Sequence, residues 1–217
     1  MMKRTVGVLA LQGAYASHIA VLEKLGIAVR EIRQSDQLAA CDALIIPGGE
    51  STVMTKLLHA GASLSPTAAD FYAVLRDYAQ THPVMGTCAG LILLARPCGD
   101  VRVETLDLLP VTVERNAYGR QAESFIQGIK LDAGITGSDQ GDFPAVFIRA
   151  PKILAIEPDV TVLARSAPNQ NAAIGDLGTS PGDPVMVQYR NLLGLSFHPE
   201  LTPHDTRIHE YFLSLIR

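Results

Sequence analysis

Short apolar runs alternate with amphipathic segments along the first half of the chain. Strands are expected where apolar and β-branched residues run together and end in turn residues, at Thr5–Leu11 and in the segments IAVREI, CDALIIPGG and PVMGT. Helices are expected in AYASHIAVLEKLG, STVMTKLLHAG, residues 71–80 and AGLILLA. Ser51 or Thr52 is the expected cap of the second helix. This alternation predicts a mostly parallel, doubly wound sheet with helices on both faces.

The second half of the chain changes to short β-like runs separated by turn residues. The runs are LPVTVERN, ESFIQGIKL, AVFIRAP, ILAI, VTVLARS, PVMVQY and LLGLSFHPE, and the chain closes with a helix in PHDTRIHEYFLSLI. Loops are expected at Ala133–Asp142 and Asn169–Pro184, where Gly, Pro and Asp accumulate. We interpret the runs as antiparallel additions and the last strands of the sheet, within the same domain. Residues 1–217 are therefore predicted to form one three-layer α/β domain.

Composition narrows the classes of partner and the compartment. Apolar residues make up 47% of the chain, which is enough for a buried core, and the net charge of −4 comes without a Lys/Arg cluster, which argues against nucleic acid and anionic membranes. Gln12-Gly13 interrupts the first apolar run, and no run approaches the ~18 residues of a membrane-spanning helix. Three cysteines without CxxC spacing favour a reducing cytoplasm and argue against disulfides and a metal site.

A cysteine between two glycines stands where the strand PVMGT is expected to pass into the helix AGLILLA. The spacing Gly86-x-Cys88-x-Gly90 is the cysteine version of the nucleophile elbow, a sharp strand-to-helix turn that projects the nucleophile from the carboxyl end of the sheet. The start of the following helix would favour the thiolate over the thiol. A structural cysteine with glycines beside it by chance is the alternative interpretation.

A histidine and a glutamate stand two residues apart in SFHPE. Residues i and i+2 of an extended strand face the same side, and Pro199 biases His198 toward extended geometry. A carboxylate beside an imidazole fixes its tautomer and stabilises the imidazolium. Together with Cys88, the residues His198 and Glu200 supply a nucleophile, a base and an orienting group. Taken alone, the motif is equally consistent with a proline turn carrying a solvated pair.

The segment PGGEST follows the third predicted strand. Glycines at a strand end can present backbone N–H groups to an oxyanion, and the next helix adds its positive end. We expect the two donors of an oxyanion hole to be the N–H groups of Gly49 and of Ala89, which directly follows Cys88. A tight strand-to-helix turn with no functional role is the alternative.

Six blocks in register extend the pattern from Leu9 to Thr202. They are LALQGAYASHI, PGGEST, GTCAGLILLA, VERNAYGRQ, FIRAP and SFHPELT. GTCAG with a downstream HPE resembles the class I (triad) glutamine amidotransferases. Within that class, the six blocks together resemble the glutaminase subunits of pyridoxal 5′-phosphate synthase. The resemblance implies a flavodoxin-like fold and hydrolysis of L-glutamine to L-glutamate and ammonia through a thioester, with no metal or organic cofactor.

The resemblance also implies a role for each matching residue. Cys88 would attack the side-chain amide of glutamine, His198 would shuttle the proton, and Glu200 would orient His198. Contacts with glutamine are implied for Gly49, Glu50, Ser51, Arg115, Ile148 and Arg149. An arginine fork suits the α-carboxylate of glutamine, although a structural ion pair is the alternative for either arginine. Which group of glutamine each arginine meets stays open.

The ammonia would pass to a (β/α)8-barrel synthase subunit in a large hetero-oligomer. Gln12 and Gly13 follow a predicted strand at its carboxyl end, so they share a rim with the elbow and are candidates for that interface. Glycine peptides reorient at little cost. We therefore expect the free chain to hold the Gly48-Gly49 peptide with its carbonyl toward the substrate, or to leave it mobile. Docking of the partner on this rim would turn the N–H inward.

Two other classes of function stay open at this stage. One is a different cysteine hydrolase on the same architecture, such as a γ-glutamyl hydrolase or the glutaminase of another synthase. The other is a non-enzymatic binding or redox-sensing module that uses Cys88, against which the HPE pair argues because sensing needs no oriented base. The remaining cysteines, Cys41 and Cys98, are expected in the core. The other histidines are expected at the surface or at helix caps, namely His18, His59, His82, His204 and His209.

Overall fold

The computed structural model describes residues 4–63, 70–115, 124–167 and 182–216. Its strands are β1 (Thr5–Leu9), β2 (Ala28–Ile32), β3 (Ala43–Ile46), β4 (Val84–Thr87), β5 (Val111–Glu114), β6 (Phe125–Ile129), β7 (Phe143–Phe147), β8 (Lys152–Ile156), β9 (Thr161–Arg165), β10 (Pro184–Tyr189) and β11 (Leu192–Leu195). Its helices are α1 (Tyr15–Lys24), α2 (Ser51–Ser63), α3 (Phe71–Thr81), α4 (Ala89–Leu94) and α5 (Arg207–Ser214).

A seven-stranded sheet lies at the centre in the order β2-β1-β3-β4-β11-β10-β9. The first five of these strands are mutually parallel, whereas β10 runs antiparallel to both of its neighbours. The pairing of β4 with β11 joins the two halves of the chain in one sheet. The mostly parallel sheet with antiparallel additions, expected from the sequence, is confirmed.

Apolar side chains cover both faces of this sheet. In β3, Leu44 and Ile46 join a cluster with α2, α3 and α4, whereas Ala43 and Ile45 join a second cluster with α1 and α5. Successive residues of a strand point to opposite faces, so a strand buried on both sides is apolar throughout. The predicted three-layer, doubly wound arrangement follows from this distribution.

All seven β-like runs of the second half contain strands, but four of those strands are not part of the main sheet. β5 pairs with β8 and β6 pairs with β7, in two separate antiparallel sheets. The first pair packs its apolar side chains on the α2–α4 side, and the second packs on the α1–α5 side. Pattern alone predicts that these segments are strands, whereas their partners depend on tertiary packing.

Several boundaries differ from those expected. The last helix begins only at Arg207, because Pro203–Thr206 form turns, and β11 ends at Leu195, before the HPE motif. Residues 133–142 contain no helix or strand, as predicted, and the Arg207 guanidinium donates to the carbonyls of Gly137 and Gly141 there, each at 2.9 Å. Most of the second predicted loop, residues 169–181, lies outside the described residues. None of the described helices combines the length and apolarity that a membrane crossing requires.

Candidate active site

Cys88 lies between β4 and α4 in a backbone conformation that L-residues rarely adopt. Its φ is 49° and its ψ is −103°, which costs of order 1–3 kcal/mol and persists only where the surroundings enforce it. Its N–H donates to the carbonyl of Leu195 at 2.8 Å, which ties the turn to β11. The sharp strand-to-helix elbow expected from the glycine spacing is therefore present.

The two glycines beside Cys88 are required by close approach. A Cβ at Gly90 would lie 2.0 Å from the carbonyl oxygen of Ile46, and a Cβ at Gly86 would lie 2.6 Å from the backbone of Gly90. The helix after the elbow can pack against β3 only where side chains are absent. The G-x-C-x-G pattern is thus explained by the shape of the turn as well as by its chemistry.

His198 and Glu200 meet directly, although not on a strand as predicted. Nδ1 of His198 lies 2.7 Å from Oε1 of Glu200, and both side chains are buried. β11 has already ended, and residues Pro199–Leu201 form a 3-10 turn that brings the carboxylate back toward the ring. The N–H of His198 donates to the carbonyl of Val146 at 2.9 Å, so β7 also holds this segment in place.

The imidazole of His198 also interacts with Cys88 and is held in its protonated form. Burial lowers the pKa of His198, but the interactions with Cys88 and Glu200 outweigh burial and raise the pKa to about 10. Gly48 packs closely against both residues: a Cβ at this position would lie 2.3 Å from Cε1 of His198 and 3.3 Å from Cβ of Cys88. The structure therefore brings together the three residues that sequence analysis selected as the catalytic set.

Two histidines that were expected at the surface or at helix caps are instead fully buried behind Glu200. Nε2 of His18 lies 3.2 Å from Oε2 of Glu200, and Nδ1 of His18 lies 3.1 Å from Nε2 of His209. Both side chains have no exposed surface. Burial lowers the pKa of His18, and it lowers the pKa of His209 to about 3, so both rings are neutral near pH 7.

A signal in the sequence could have located these two histidines. His18 precedes the buried residues Val21 and Leu22 by three and four positions, and His209 stands at the same spacing before Phe212 and Leu213. Each histidine therefore lies on the apolar stripe of an amphipathic helix. A histidine on such a stripe is buried with the stripe and needs a partner there.

The segment PGGEST is hydrogen-bonded to the loop that follows β1. The N–H of Ala14 donates to the carbonyl of Gly48 at 3.0 Å, and the N–H of Glu50 donates to Oε1 of Gln12 at 2.9 Å. The carbonyl of Gly48 and the N–H of Gly49 belong to the same peptide, which is trans like all the described peptides. The N–H of Gly49 therefore points in the direction opposite to the carbonyl that Ala14 binds. Gln12 and Gly13 thus contact the backbone that carries one of the two predicted oxyanion donors.

The cap of α2 is Glu50, so the expectation of Ser51 or Thr52 at that position is wrong. The Glu50 carboxylate accepts from the N–H of Val53 at 2.9 Å and from the N–H of Thr52 at 3.2 Å. Ser51 is already the first residue of the helix and is buried. A carboxylate satisfies free N–H groups of the first turn as well as a hydroxyl does and complements the helix dipole.

Arg115 is engaged in ion pairs. Its Nη2 lies 3.4 Å from Oε1 of Glu50, and its Nη1 hydrogen-bonds Asp100. Arg102 on the other side of Asp100 is the main cause that lowers the pKa of that carboxyl, and Arg115 adds to the effect. Two residues predicted to contact glutamine, Glu50 and Arg115, therefore lie together. Residues 116–121 of the block VERNAYGRQ lie outside the described residues.

The FIRAP segment passes close to the nucleophile. Sγ of Cys88 lies 3.8 Å from the carbonyl oxygen of Ile148, directly after β7. Arg149 is exposed and has a φ of 43°, so a tight turn sets its direction. Of the residues predicted to bind substrate, Ile148 therefore lies against Cys88, and Arg149 follows it on an exposed turn.

The remaining cysteines and histidines lie away from this site. Cys41 is buried as expected, whereas Cys98 is only partly buried beside the same core, and all three cysteines are free. His59 and His204 are exposed, and His82 follows the last turn of α3. Within the described residues, no group of three His, Cys, Asp or Glu side chains has the arrangement of a metal site.

A parallel sheet with a cysteine elbow at its carboxyl edge and a His–Glu pair beside the sulfur defines a class I glutamine amidotransferase. Solved structures agree: a structure described as a glutamine amidotransferase superposes with a TM-score of 0.78 at 39% identity, covering 97% of this chain and 98% of that one. The glutaminase domain of Trypanosoma brucei CTPS with bound acivicin shares the fold, with a TM-score of 0.60 at 15% identity, over 98% of this chain and 93% of that one.

The family follows from the sequence match. Residues 8–217 match the SNO glutamine amidotransferase family, and the chain belongs to that family. A similar curated protein is the pyridoxal 5′-phosphate synthase subunit PdxT of Dehalococcoides mccartyi, 43% identical over 98% of this chain and 97% of the relative. The PdxT subunit of Thermoplasma acidophilum is 41% identical over 98% of this chain and 93% of the relative. The family resemblance drawn from the six sequence blocks is confirmed.

Proposed function

We propose that this chain is the glutaminase subunit of a pyridoxal 5′-phosphate synthase. It hydrolyses L-glutamine to L-glutamate and ammonia, and residues 1–217 act as one glutaminase domain. Family membership and near-full-length similarity to PdxT subunits support this function. The single observation that carries the chemistry is Cys88 on a strained elbow beside His198, whose Nδ1 lies 2.7 Å from the Glu200 carboxylate.

The first half of the reaction forms a thioester. Cys88 attacks the side-chain amide carbon of glutamine as the thiolate that pairs with the His198 imidazolium, and the carbonyl oxygen gains negative charge. The N–H groups of Ala89 and Gly49 stabilise that charge. His198, protonated near pH 7 because its pKa is raised to about 10, then gives its proton to the leaving nitrogen. The C–N bond breaks and ammonia leaves.

The second half of the reaction regenerates the enzyme. His198 is now neutral and takes a proton from water, which attacks the thioester carbon. The C–S bond breaks, the sulfur leaves as a thiolate beside the reprotonated imidazole, and glutamate is released. Glu200 stabilises the imidazolium in both halves and keeps Nδ1 of His198 as the nitrogen that faces the carboxylate.

The residues around the nucleophile bind the rest of glutamine. Gly49, Glu50, Ser51, Arg115, Ile148 and Arg149 supply these contacts. Glu50 suits the α-ammonium group by charge, and the arginines suit the α-carboxylate. Arg115 already pairs with Glu50, so the two opposite charges that an amino acid needs lie side by side, 3.4 Å apart at their closest atoms.

The ammonia passes to a (β/α)8-barrel synthase subunit in a large hetero-oligomer. Gln12 and Gly13 are the interface candidates, since their loop is hydrogen-bonded to the backbone of Gly48–Glu50. We place the reaction in the cytoplasm, because free thiols are typical of reducing compartments and all three cysteines are unpaired.

Replacement of the nucleophile tests this function. Cys88→Ala should abolish glutamate release from glutamine, while the complex with the synthase subunit still forms pyridoxal 5′-phosphate from ammonium salts. Cys98→Ala is the matched control, because Cys98 is a free, partly buried thiol away from the site, and it should retain activity. Glutamate release by a folded Cys88→Ala protein would refute the assignment. Turnover of γ-glutamyl peptides in preference to glutamine would instead indicate a γ-glutamyl hydrolase.

A further inference from the structure

The Glu200 carboxylate has two oxygens, and they face different surroundings. Oε1 faces the reacting imidazole of His198 at 2.7 Å. Oε2 faces inward, and the ring of His18 is its polar neighbour, with Nε2 at 3.2 Å. Within the described residues Oε2 accepts no hydrogen bond of good geometry, and the approach of the neutral His18 ring is a close polar contact. A buried carboxylate oxygen left without any donor would carry a desolvation penalty.

The tautomer of His18 follows from its neighbours. A carboxylate oxygen accepts and cannot donate, so a lone pair on Nε2 of His18 would face another lone pair across 3.2 Å. The hydroxyl of Thr87, 3.3 Å from Nε2, can donate or accept, so the nearby carboxylate oxygen is what favours a hydrogen on Nε2. Because the ring is neutral, Nδ1 of His18 is then an acceptor.

The second histidine completes the arrangement. Nε2 of His209 lies 3.1 Å from Nδ1 of His18 and must donate to it. Nδ1 of His209 is then the lone-pair nitrogen, and it has no partner among the described residues. This outcome favours the assignment, because an orphaned donor in the reverse arrangement would be harder to tolerate. With this assignment the donor groups follow one direction, from His209 on α5 to His18 on α1 and from His18 toward the Glu200 carboxylate.

We propose that His18 is a positioning residue, whose Nε2–H fixes the second oxygen of Glu200, and that His209 sets the tautomer in which His18 can do so. The inference rests on the proposed function, since it concerns the same catalytic carboxylate. With Oε2 held, Oε1 stays aimed at Nδ1 of His198 through both halves of the reaction. This is the role that outer partners of catalytic and metal-bound histidines play elsewhere.

The charges around Glu200 give the proposal a measurable pH signature. The titratable groups that face Glu200 are His198 on its own segment and His18 on α1, and those that face His18 are Glu200, His198 and His209. Burial raises the pKa of Glu200, and its polar neighbours outweigh burial and bring the pKa below its usual value; a hydrogen on Nε2 of His18, 3.2 Å from Oε2, favours the charged carboxylate in the same way. Loss of the donor should therefore let Glu200 take up a proton at higher pH.

Two substitutions of His18 separate positioning from packing. His18→Leu keeps an apolar shape without a donor, whereas His18→Gln places an amide N–H near the position of Nε2. We expect His18→Leu to lower kcat of glutamine hydrolysis about 10- to 100-fold and to move the acid limb of the kcat/KM profile about one pH unit upward, with KM little changed. His18→Gln should restore most of both, and His204→Leu, at an exposed histidine, is the matched control.

The possible outcomes distinguish a failure of this proposal from a failure of the proposed function. Equal losses in both His18 variants without a shift of the acid limb, or wild-type kinetics in His18→Leu, would overturn the proposal. A wild-type protein without glutaminase activity in the presence of the synthase subunit would refute the proposed function, and the tautomers would still be testable. Long-range ¹H–¹⁵N spectra of the ¹⁵N-histidine-labelled wild-type protein report them directly. His18 and His209 should both appear as neutral Nε2–H tautomers, and an Nδ1–H tautomer or a protonated ring for His18 at pH 7 would overturn the proposal.

Discussion

The site has a buried base and an exposed rim, and the two are built differently. The base consists of Cys88, His198, Glu200, His18 and His209, which are at most 6% exposed. The rim consists of Gln12, Gly13, Gly49, Glu50 and Arg149, which are exposed or partly exposed. The base is formed by side chains that contact one another. At the rim, the backbone of Gly48–Glu50 is held by single hydrogen bonds.

The difference separates two tasks. In the base, low solvent access strengthens each polar contact, and the same residue type takes opposite protonation states within a short distance. His198, which interacts with Cys88 and Glu200, has its pKa raised to about 10, whereas burial lowers the pKa of His209 to about 3. In the rim, the loop that carries these hydrogen bonds contains the exposed Gly13 and the partly exposed Gln12, which a docking partner can reach. Chemistry is thus a property of the base, and control is expected at the rim.

Removal of a charge from the base should have the largest effect on the rate. Glu200→Gln keeps the shape but removes the charge that stabilises the His198 imidazolium, so kcat should fall by about 10²–10⁴. The loss should be the same with and without the synthase partner, because the base is buried. Steady-state glutamate release measures both. A loss smaller than about threefold would exclude Glu200 from the catalytic set.

A change at the rim should act through the partner. The synthase is expected to raise glutaminase activity about 10²–10³-fold, mainly in kcat, by fixing the Gly49 N–H as an oxyanion donor. Gln12→Ala removes the side chain that accepts from the Glu50 N–H at 2.9 Å and should greatly reduce this stimulation. Gln80→Ala is the control, since Gln80 is an exposed glutamine that also bonds backbone, near the opposite edge of the sheet. Full activity of the free chain would contradict partner control.

The smallest expected effect concerns stability in acid. The pKa of His209 is about 3 in the folded chain and about 6.5 in the unfolded chain, so protons bind preferentially to the unfolded chain between these values. Stability should be complete above about pH 6.5 and should fall as the pH drops toward 3, by at most about 1.4 kcal/mol per pH unit for this group. Urea denaturation of the wild type and of His209→Gln at pH 5, 6 and 7 measures the slopes. Parallel slopes would mean that His209 is not buried in its neutral form.

Local pattern was enough for most elements and for selecting the three residues that the structure brings together, Cys88, His198 and Glu200. Apolar runs and amphipathic spacing predicted every strand of the main sheet and all five helices, with errors at the ends of segments such as β11 and α5. The elbow was predictable because steric limits on the chain near Cys88 act between residues only two positions apart. The pairing of His198 with Glu200 was predicted for the wrong reason, since a 3-10 turn and not a strand brings them together.

Contacts between distant segments were not predictable. His18 and His209 belong to different helices at opposite ends of the chain, and their meeting depends on how α1 and α5 pack on one face of the sheet. The capping of α2 by Glu50 and the pairing of Arg115 with Asp100 also needed coordinates. In each case several residues were chemically suitable as the partner, and the sequence does not distinguish between them.

The sequence by itself determined the elements, the turn that projects Cys88 and the residue types of the catalytic set, because these depend on interactions between near neighbours along the chain. The tertiary structure alone decided which polar groups share a buried space, and with that their protonation. A histidine has no fixed charge near neutral pH, so only its surroundings could make His198 a proton donor and leave His18 and His209 as neutral rings behind Glu200.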